Sequence, residues 1–332
     1  TGAWTLNAGS SIVLRRADNT THPNDIVMAG DATFYTGAST SAHHRQRTLS
    51  GVISGTGLLT AHTTNTNILH LNNTNTWSGG LLAGGVHSEN KAETIEADVT
   101  NSLGTGPVTI DDGLTLRIDG ANATTGTDSI LAVSGRKSGR ESYKLYMNAP
   151  DEVGQLLVDG YQQPNGTYGK VGSGADYEMP WIDGNSLLTV SSAPPDNTAP
   201  TVTFTDDVGG GSVYPGQPVT YTVTFSEPTT PALTAGDLEN AAGTGMTIES
   251  VTADSVVSYT VVVKATDVGA LNLGINASAS MEDLFGNPLV VPVADNDTLP
   301  VIELPPIKGQ LGRWQPWANG GINPATGQPW AV

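Results

Sequence analysis

Between Gly51 and Ile118 the chain carries a series of apolar stretches too short to fold alone: Gly57 to Leu59, Ile68 to Leu71, Leu81 to Leu82, Val108 to Ile110 and Leu114 to Ile118, each closed by Gly, Asn or Thr. None approaches the roughly ten residues a helix requires, so the runs read as strands. A strand this short cannot bury its apolar face by itself. Stacking one on the next makes a continuous core, so the pattern predicts a coil of short strands in which the repeat is the fold. Residues 1 to 50 read the same way at Trp4 to Leu6, Ile12 to Leu14, Ile26 to Met28 and Ala32 to Tyr35. The pattern starts in mid-repeat and with Thr-Gly, which sets the expectation of a segment taken from a longer chain.

The phrases GTGLL, NTNTWSGG and SLGTGPVTIDDGLTLRI resemble the autotransporter-associated β-strand repeat of large secreted bacterial proteins. Trp77 stands where that pattern usually has Tyr, and a charged insert at residues 86 to 100 interrupts it. The resemblance implies an exported, right-handed parallel β-helix without catalytic residues. GQLLVDGYQQPNGTYGKVGSGADYEMPWIDGNSLLTVSS is similar to the terminal unit that closes many such repeats. A last rung needs a cover, and Tyr161, Tyr168, Tyr177 and Trp181 are placed to supply it. The same aromatic strip, with Trp77, is the candidate surface for stacking on a glycan.

Charge narrows the partners. With 32 acidic against 14 basic residues the chain carries a net charge of −18, which argues against nucleic acid or an anionic membrane and favours cations. Cysteine is absent, so no disulfide framework or thiol chemistry is available. No apolar run approaches the roughly 18 residues of a membrane helix. A secreted or cell-surface location is the expectation, with self-association, neighbouring domains of a longer chain or a polysaccharide as partners.

Few residues form a chemical constellation. All six His lie in the first 90 residues. His43 and His44 are adjacent and would point to opposite faces of a strand, so with Arg45 and Arg47 they read as a solvated loop. His62 and His70 are spaced to stack between rungs. Asp111 and Asp112 could serve as paired acids, but followed by Gly113 they read as a turn between two strands. The stretch HSENKAETIEADVT reads as a charged loop or short helix thrown out from one rung. Arg136, Lys137, Arg140 and Lys144 form an isolated basic patch suited to carboxylates of a subunit or an acidic polysaccharide, or to solvent.

SAPPDNTAP marks a boundary, because its prolines favour a stiff, extended linker. From Thr201 longer alternating strands follow, TVTFTDD, PVTYTVTFSEP, SVVSYTVVVKAT and PLVVPVAD among them, which predicts a Greek-key β-sandwich. With LTAGDLE and MEDLFGNPL the stretch resembles a bacterial immunoglobulin-like domain. The predicted order is therefore a β-helix with its cap at 1–192, a Pro-rich linker at 193–200, an immunoglobulin-like sandwich at 201–299 and a connector or further module at 300–332. Asp206, Asp207, Asp283, Asp295 and Asp297 are candidate calcium ligands, since calcium takes several carboxylates; Asp and Asn are equally ordinary turn residues.

Trp314, Trp317 and Trp330 crowd the final segment. Exposed Trp at that density is costly, so the segment is expected to pack in cis, to begin a further module or to insert into a neighbouring copy. The sequence as a whole points to a non-enzymatic structural or adhesive segment of an exported bacterial surface protein, self-assembling into a fibre or layer. The alternative is a carbohydrate-binding module of a secreted polysaccharide-processing protein.

Overall fold

The structure is a computed structural model describing the chain apart from residues 1, 15–18, 37–45, 64–66, 85–92, 112–113, 125, 135–143 and 305–332. It divides into two compact units. The first comprises Thr1–Thr201, Glu227–Pro231 and Ser280–Leu289, the second Val202–Ser226, Ala232–Ala279 and Val290–Val332.

The protein is all-β, and residues 4–158 form a parallel β-solenoid of about five turns. Each early turn contributes a strand to each of three faces. The first face holds Trp4–Leu6, Ile26–Met28 and Ile53–Gly55. The second runs Ser10–Val13, Ala32–Thr36, Leu59–Thr63, Leu81–Ala83, Val108–Ile110, Gly126–Val133 and Asp151–Val158. The third runs Thr20–His22, Gln46–Leu49, Ile68–Leu71, Glu93–Ala97, Leu114–Ile118, Lys144–Met147 and Ile182–Gly184.

Period-two alternation sends every second residue of these strands inward, and parallel register stacks equivalent residues. Leu59, Leu81, Val108 and Leu131 make one inward column; Leu69, Ile95, Leu116, Leu145 and Ile182 make another on the third face. All are buried, and each such side chain removed from water contributes about 1.5–3 kcal/mol. On the first face the later turns have no strand among the described residues. There Trp77, fully buried, fills the core and its indole Nε1 donates to the Gly80 carbonyl at 3.1 Å.

The charged stretch at 86 to 100 is not an excursion throughout. Glu93–Ala97 is a strand inside the third face, paired with Ile68–Leu71 on one side and Leu114–Ile118 on the other. Ile95 and Ala97 supply its two buried apolar side chains, which outweighs the local density of charge. Arg47 also departs from its reading as part of a solvated loop. It shares the inward side of its strand with Leu49 and is buried, with Nε donating to the Leu14 carbonyl at 3.2 Å and Nη1 to that of Gln46 at 3.0 Å. Buried guanidinium protons require such acceptors.

The solenoid ends in antiparallel structure. Asp159 and Gly160, with φ of 51° and 88°, reverse the chain so that Tyr161–Gln162 folds back on Asp151–Val158. Two positive φ values in succession fit a tight hairpin. Gly166–Gly169 then pairs antiparallel with Leu188–Val190. Tyr168 is buried, with its ring stacked 4.7 Å from that of Tyr177, and Trp181 is 6% exposed. These aromatic rings belong to or pack against the solenoid core.

In the second unit, Val202–Asp206, Pro218–Phe225, Ser258–Ala265 and Met246–Ala253 form an antiparallel sheet in that order. Val219, Tyr221, Val223 and Phe225 are buried on alternate positions, as are Tyr259, Val261, Val263 and Ala265. Leu238–Asn240, Leu273–Ile275 and Val293–Ala294 make a second small sheet, and Gly269–Leu271 pairs with Leu299–Val301. Val301 is 1% exposed, so ordered structure continues past residue 299.

Close approach between turns makes some glycines obligatory. A Cβ on Gly57 would overlap the carbonyl oxygen of Gly30 in the turn before, and one on Gly79 would overlap that of Gly57. Gly57→Ala is expected to cost about 3 kcal/mol or more, since backbone cannot yield as a side chain does. Gly2→Ala, with open space around its position, should leave stability unchanged. Urea unfolding of the two variants checks this, and equal midpoints would contradict the stacking constraint.

Candidate functional site

The third face of the solenoid carries a column of outward side chains that parallel register brings together from distant parts of the sequence. Position by position it runs Thr48, His70, Glu96, Arg117, Tyr146 and Asp183. Immediately after the strands, Asn72, Asp98, Asp119, Asn148 and Asn185 follow in successive turns. Their amides bond to carbonyls of the preceding turn, for example Asp98 N–H to Leu71 at 3.2 Å and Asp119 N–H to Ala97 at 2.9 Å.

These two columns form a connected polar network. His70 Nδ1 lies 3.1 Å from Glu96 Oε2 and 3.2 Å from Asp98 Oδ2. The other Glu96 oxygen, Oε1, meets Arg117 Nη1 at 3.4 Å. Arg117 Nε donates to Asp119 Oδ1 at 2.9 Å, and the guanidinium carbon sits 5.6 Å from the Tyr146 ring centroid. Asn148 Nδ2 donates to the same Asp119 oxygen at 2.6 Å.

Burial sets the electrostatics. The Glu96 side chain is only 8% exposed, that of His70 14% and that of Asp98 20%. Desolvation pushes the Glu96 carboxyl up from its ordinary value, opposed by the nearby His70 and Arg117. His70 is raised chiefly by its hydrogen bond to Asp98, against the effect of burial. Its Nε2 is buried without a hydrogen-bond partner.

Two groups among the described residues bring three potential metal-ligand atoms within 4.8 Å of one another: His70, Glu96 and Asp98, and separately Asp196, Glu227 and Asp283. The second group contains one of the predicted calcium ligands. Asp283 is committed to shaping its own turn, with Oδ1 accepting from the amides of Phe285 at 2.7 Å and Asn287 at 2.8 Å, and Oδ2 from Asn287 Nδ2 at 2.8 Å.

Asp283 lies in the first unit and the other calcium candidates in the second. Asp206 Oδ1 accepts from the Val208 and Gly209 amides, and Asp207 Oδ1 from Thr220 N–H at 3.0 Å. Asp295 Oδ1 accepts from Asp297 N–H at 3.2 Å, and burial raises the Asp295 carboxyl above its ordinary range. Most of these contacts are the local turn bonds that Asp forms in loops.

Of the candidate glycan contacts, Trp77 and Tyr168 are fully enclosed and Trp181 nearly so; none of the three presents a free ring face. Tyr161 is half-buried. Apolar area drives these rings into the core and its cap, where burial is worth more than an exposed stacking surface. His62 stacks on Tyr35 at 4.9 Å on the second face, apart from the strand that carries His70. Asp112, His43, His44, Arg136, Lys137, Arg140 and the tail residues Trp314, Trp317 and Trp330 lie outside the described residues.

The fold and this network define a β-solenoid protein with a charged outward column. The chain matches no protein-family model, no curated protein and no solved structure.

One further carboxylate is perturbed strongly. Asp151, 3% exposed, accepts from Thr124 Oγ1 at 3.0 Å and from the amide of Glu152 at 2.9 Å. Burial outweighs these bonds and raises its pKa from 3.8 to about 6. The folded protein therefore holds this proton more tightly than the unfolded chain. The associated stabilisation is complete below the ordinary value of 3.8 and is lost as pH rises to about 6. Asp151→Asn should remove that loss, so its stability relative to the native protein should rise by on the order of 2 kcal/mol between pH 4 and pH 7. Urea unfolding of both proteins across this range checks the sign; a pH-independent difference would contradict the assignment.

Proposed function

We propose that this chain is a structural or adhesive segment of an exported bacterial surface protein, built from a β-solenoid of the autotransporter-associated type and an immunoglobulin-like module. The observation that carries the reading is the solenoid itself: parallel ladders that run along two of its faces around a continuous apolar interior. Such a lattice resists local opening because each turn is held by its neighbours. The quoted repeat and cap motifs support the class assignment, and the antiparallel sheets of the second unit are compatible with an immunoglobulin-like fold.

Assembly through the ends of the solenoid is part of this proposal. Among the described residues Trp4–Leu6, Ser10–Val13 and Thr20–His22 stand at the ends of their three sheets, and Val13 is 44% exposed. Unpaired strand edges invite another strand, and a head-to-tail contact that does not close produces a filament. The Trp-rich segment is the proposed inserting element. No described helix is long and apolar enough to cross a membrane. Burial of Trp77, Tyr168 and Trp181 leaves the half-buried Tyr161 as the candidate ring for the glycan-binding alternative.

Deletion must spare Leu299–Val301, which is paired and in which Leu299 and Val301 are buried. A chain ending at Leu304 is expected to remain folded and to lose the concentration-dependent polymers formed by the full chain, as seen by light scattering and negative-stain microscopy. Polymers persisting after the deletion would remove the tail from assembly, and a full chain that stays monodisperse at every concentration would sink self-assembly altogether.

A further inference from the structure

We propose that His70, Glu96 and Asp98 form a binding site for one first-row divalent transition-metal ion, of which Zn²⁺ is the representative. The inference goes beyond the structural role proposed above and does not depend on it. Nδ1 of His70, Oε2 of Glu96 and Oδ2 of Asp98 converge, with nitrogen-to-oxygen separations of 3.1 and 3.2 Å. Ligand atoms held about 2.0–2.2 Å from one tetrahedral or octahedral metal are themselves about 3.0–3.4 Å apart. The two nitrogen-to-oxygen separations match edges of such a polyhedron, and the three residues bring one ligand atom each within 4.8 Å of one another.

Hydrogen bonding leaves a role for a cation at this point. The Nδ1 nitrogen carries at most one proton, and a single N–H cannot point squarely at both carboxylates. A metal replacing that proton serves the imidazole and both oxygens together. Charge argues the same way. Glu96 and Asp119 contact the guanidinium of Arg117 while Asp98 contacts His70, so with a neutral imidazole the ionised cluster of three carboxylates and one guanidinium is negative.

Donor chemistry selects the ion. One imidazole nitrogen with two carboxylates suits zinc and its neighbours, whereas calcium and magnesium prefer all-oxygen shells. Three protein ligands leave a fourth position for water, the arrangement of an open rather than a sealed zinc site. Arg117 acts as a positioning residue: its contact with Oε1 holds Glu96 so that Oε2 faces His70. Nε2 is enclosed and has no partner to orient the ring. Outer partners of this kind are typically worth about 10–100-fold in affinity, so the site should bind in the micromolar rather than the nanomolar range.

Titration of the full chain with Zn²⁺ by calorimetry, and with Co²⁺ by visible absorption, tests the assignment. The expected result is one saturable ion per chain, with the Co²⁺ spectrum showing nitrogen and oxygen ligation. His70→Gln and Asp98→Asn should each weaken binding by at least about tenfold, while circular dichroism shows both folded. His62→Gln should bind as the native protein does. Asp98, at the more exposed rim, provides the informative variant if His70→Gln does not fold. Absence of saturable binding, or uptake undiminished in the folded variants, overturns the proposal. The second result would place the ion elsewhere, and neither bears on whether the chain forms polymers.

Discussion

The parallel hydrogen-bond ladder between turns is the constraint on which the rest of the first unit depends. A three- or four-residue strand such as Leu81–Ala83 buries little and satisfies none of its own backbone groups. Paired with Leu59–Thr63 below and Val108–Ile110 above, it loses both deficits together. The same pairing forces Leu over Leu and Ala over Ala, so the core is assembled from columns rather than from residues that choose partners freely. Column membership also requires the turns to stay closely spaced, which is why Gly57 and Gly79 press on the backbone beneath them.

Where strands stop, polar side chains take over the backbone's bonding. Asn75 illustrates the exchange. It is 2% exposed, its Oδ1 accepts from the Ile53 amide at 2.7 Å, and its Nδ2 donates to the Ser102 carbonyl at 2.7 Å. One amide thus joins the turn below to the turn above at a corner that has no ladder. Asp25 and Asp31 accept from the amides of Val52 and Leu58 in the next turn. A buried amide left bare would cost about 1–3 kcal/mol, so Asn75 holds the coil at its buried corner, and the exposed Asp25 and Asp31 bonds link successive turns at the surface.

Much of this was legible in the sequence because the forces act at short range. Apolar runs separated by Gly and Asn indicate short strands, and Leu114 to Ile118 lies where the pattern places it. The cap, with Asp159-Gly160 and its aromatic rings, is also readable from turn chemistry. Net charge across a window proved a poor guide to Glu93–Ala97, because alternation decides burial and Ile95 and Ala97 already supplied it. Arg47 was missed for the related reason that a buried Arg violates the expected pattern and survives only through carbonyl acceptors that sequence cannot display. Trp181 could be read as cap or as binding strip and Trp77 was read as a glycan contact, since aromatic identity alone does not say whether a ring outside the strands faces the core.

The His70 cluster was hidden for a different reason. Its members are separated by |i−j| of 28 between His70 and Asp98 and 21 between Glu96 and Arg117, so no local motif contains them. Register converts those separations into neighbouring positions, and the only available signal is modest: Asn72, Asp98, Asp119, Asn148 and Asn185 each follow a strand of the third face. Once that ladder is recognised, the residue two places earlier in each turn must point to the same outward side, which puts His70, Glu96 and Arg117 in line. A solenoid can therefore collect chemically matched side chains from remote turns without altering its core. Changes in the outward column alter charge and ligation, whereas changes one residue away strike the apolar stack.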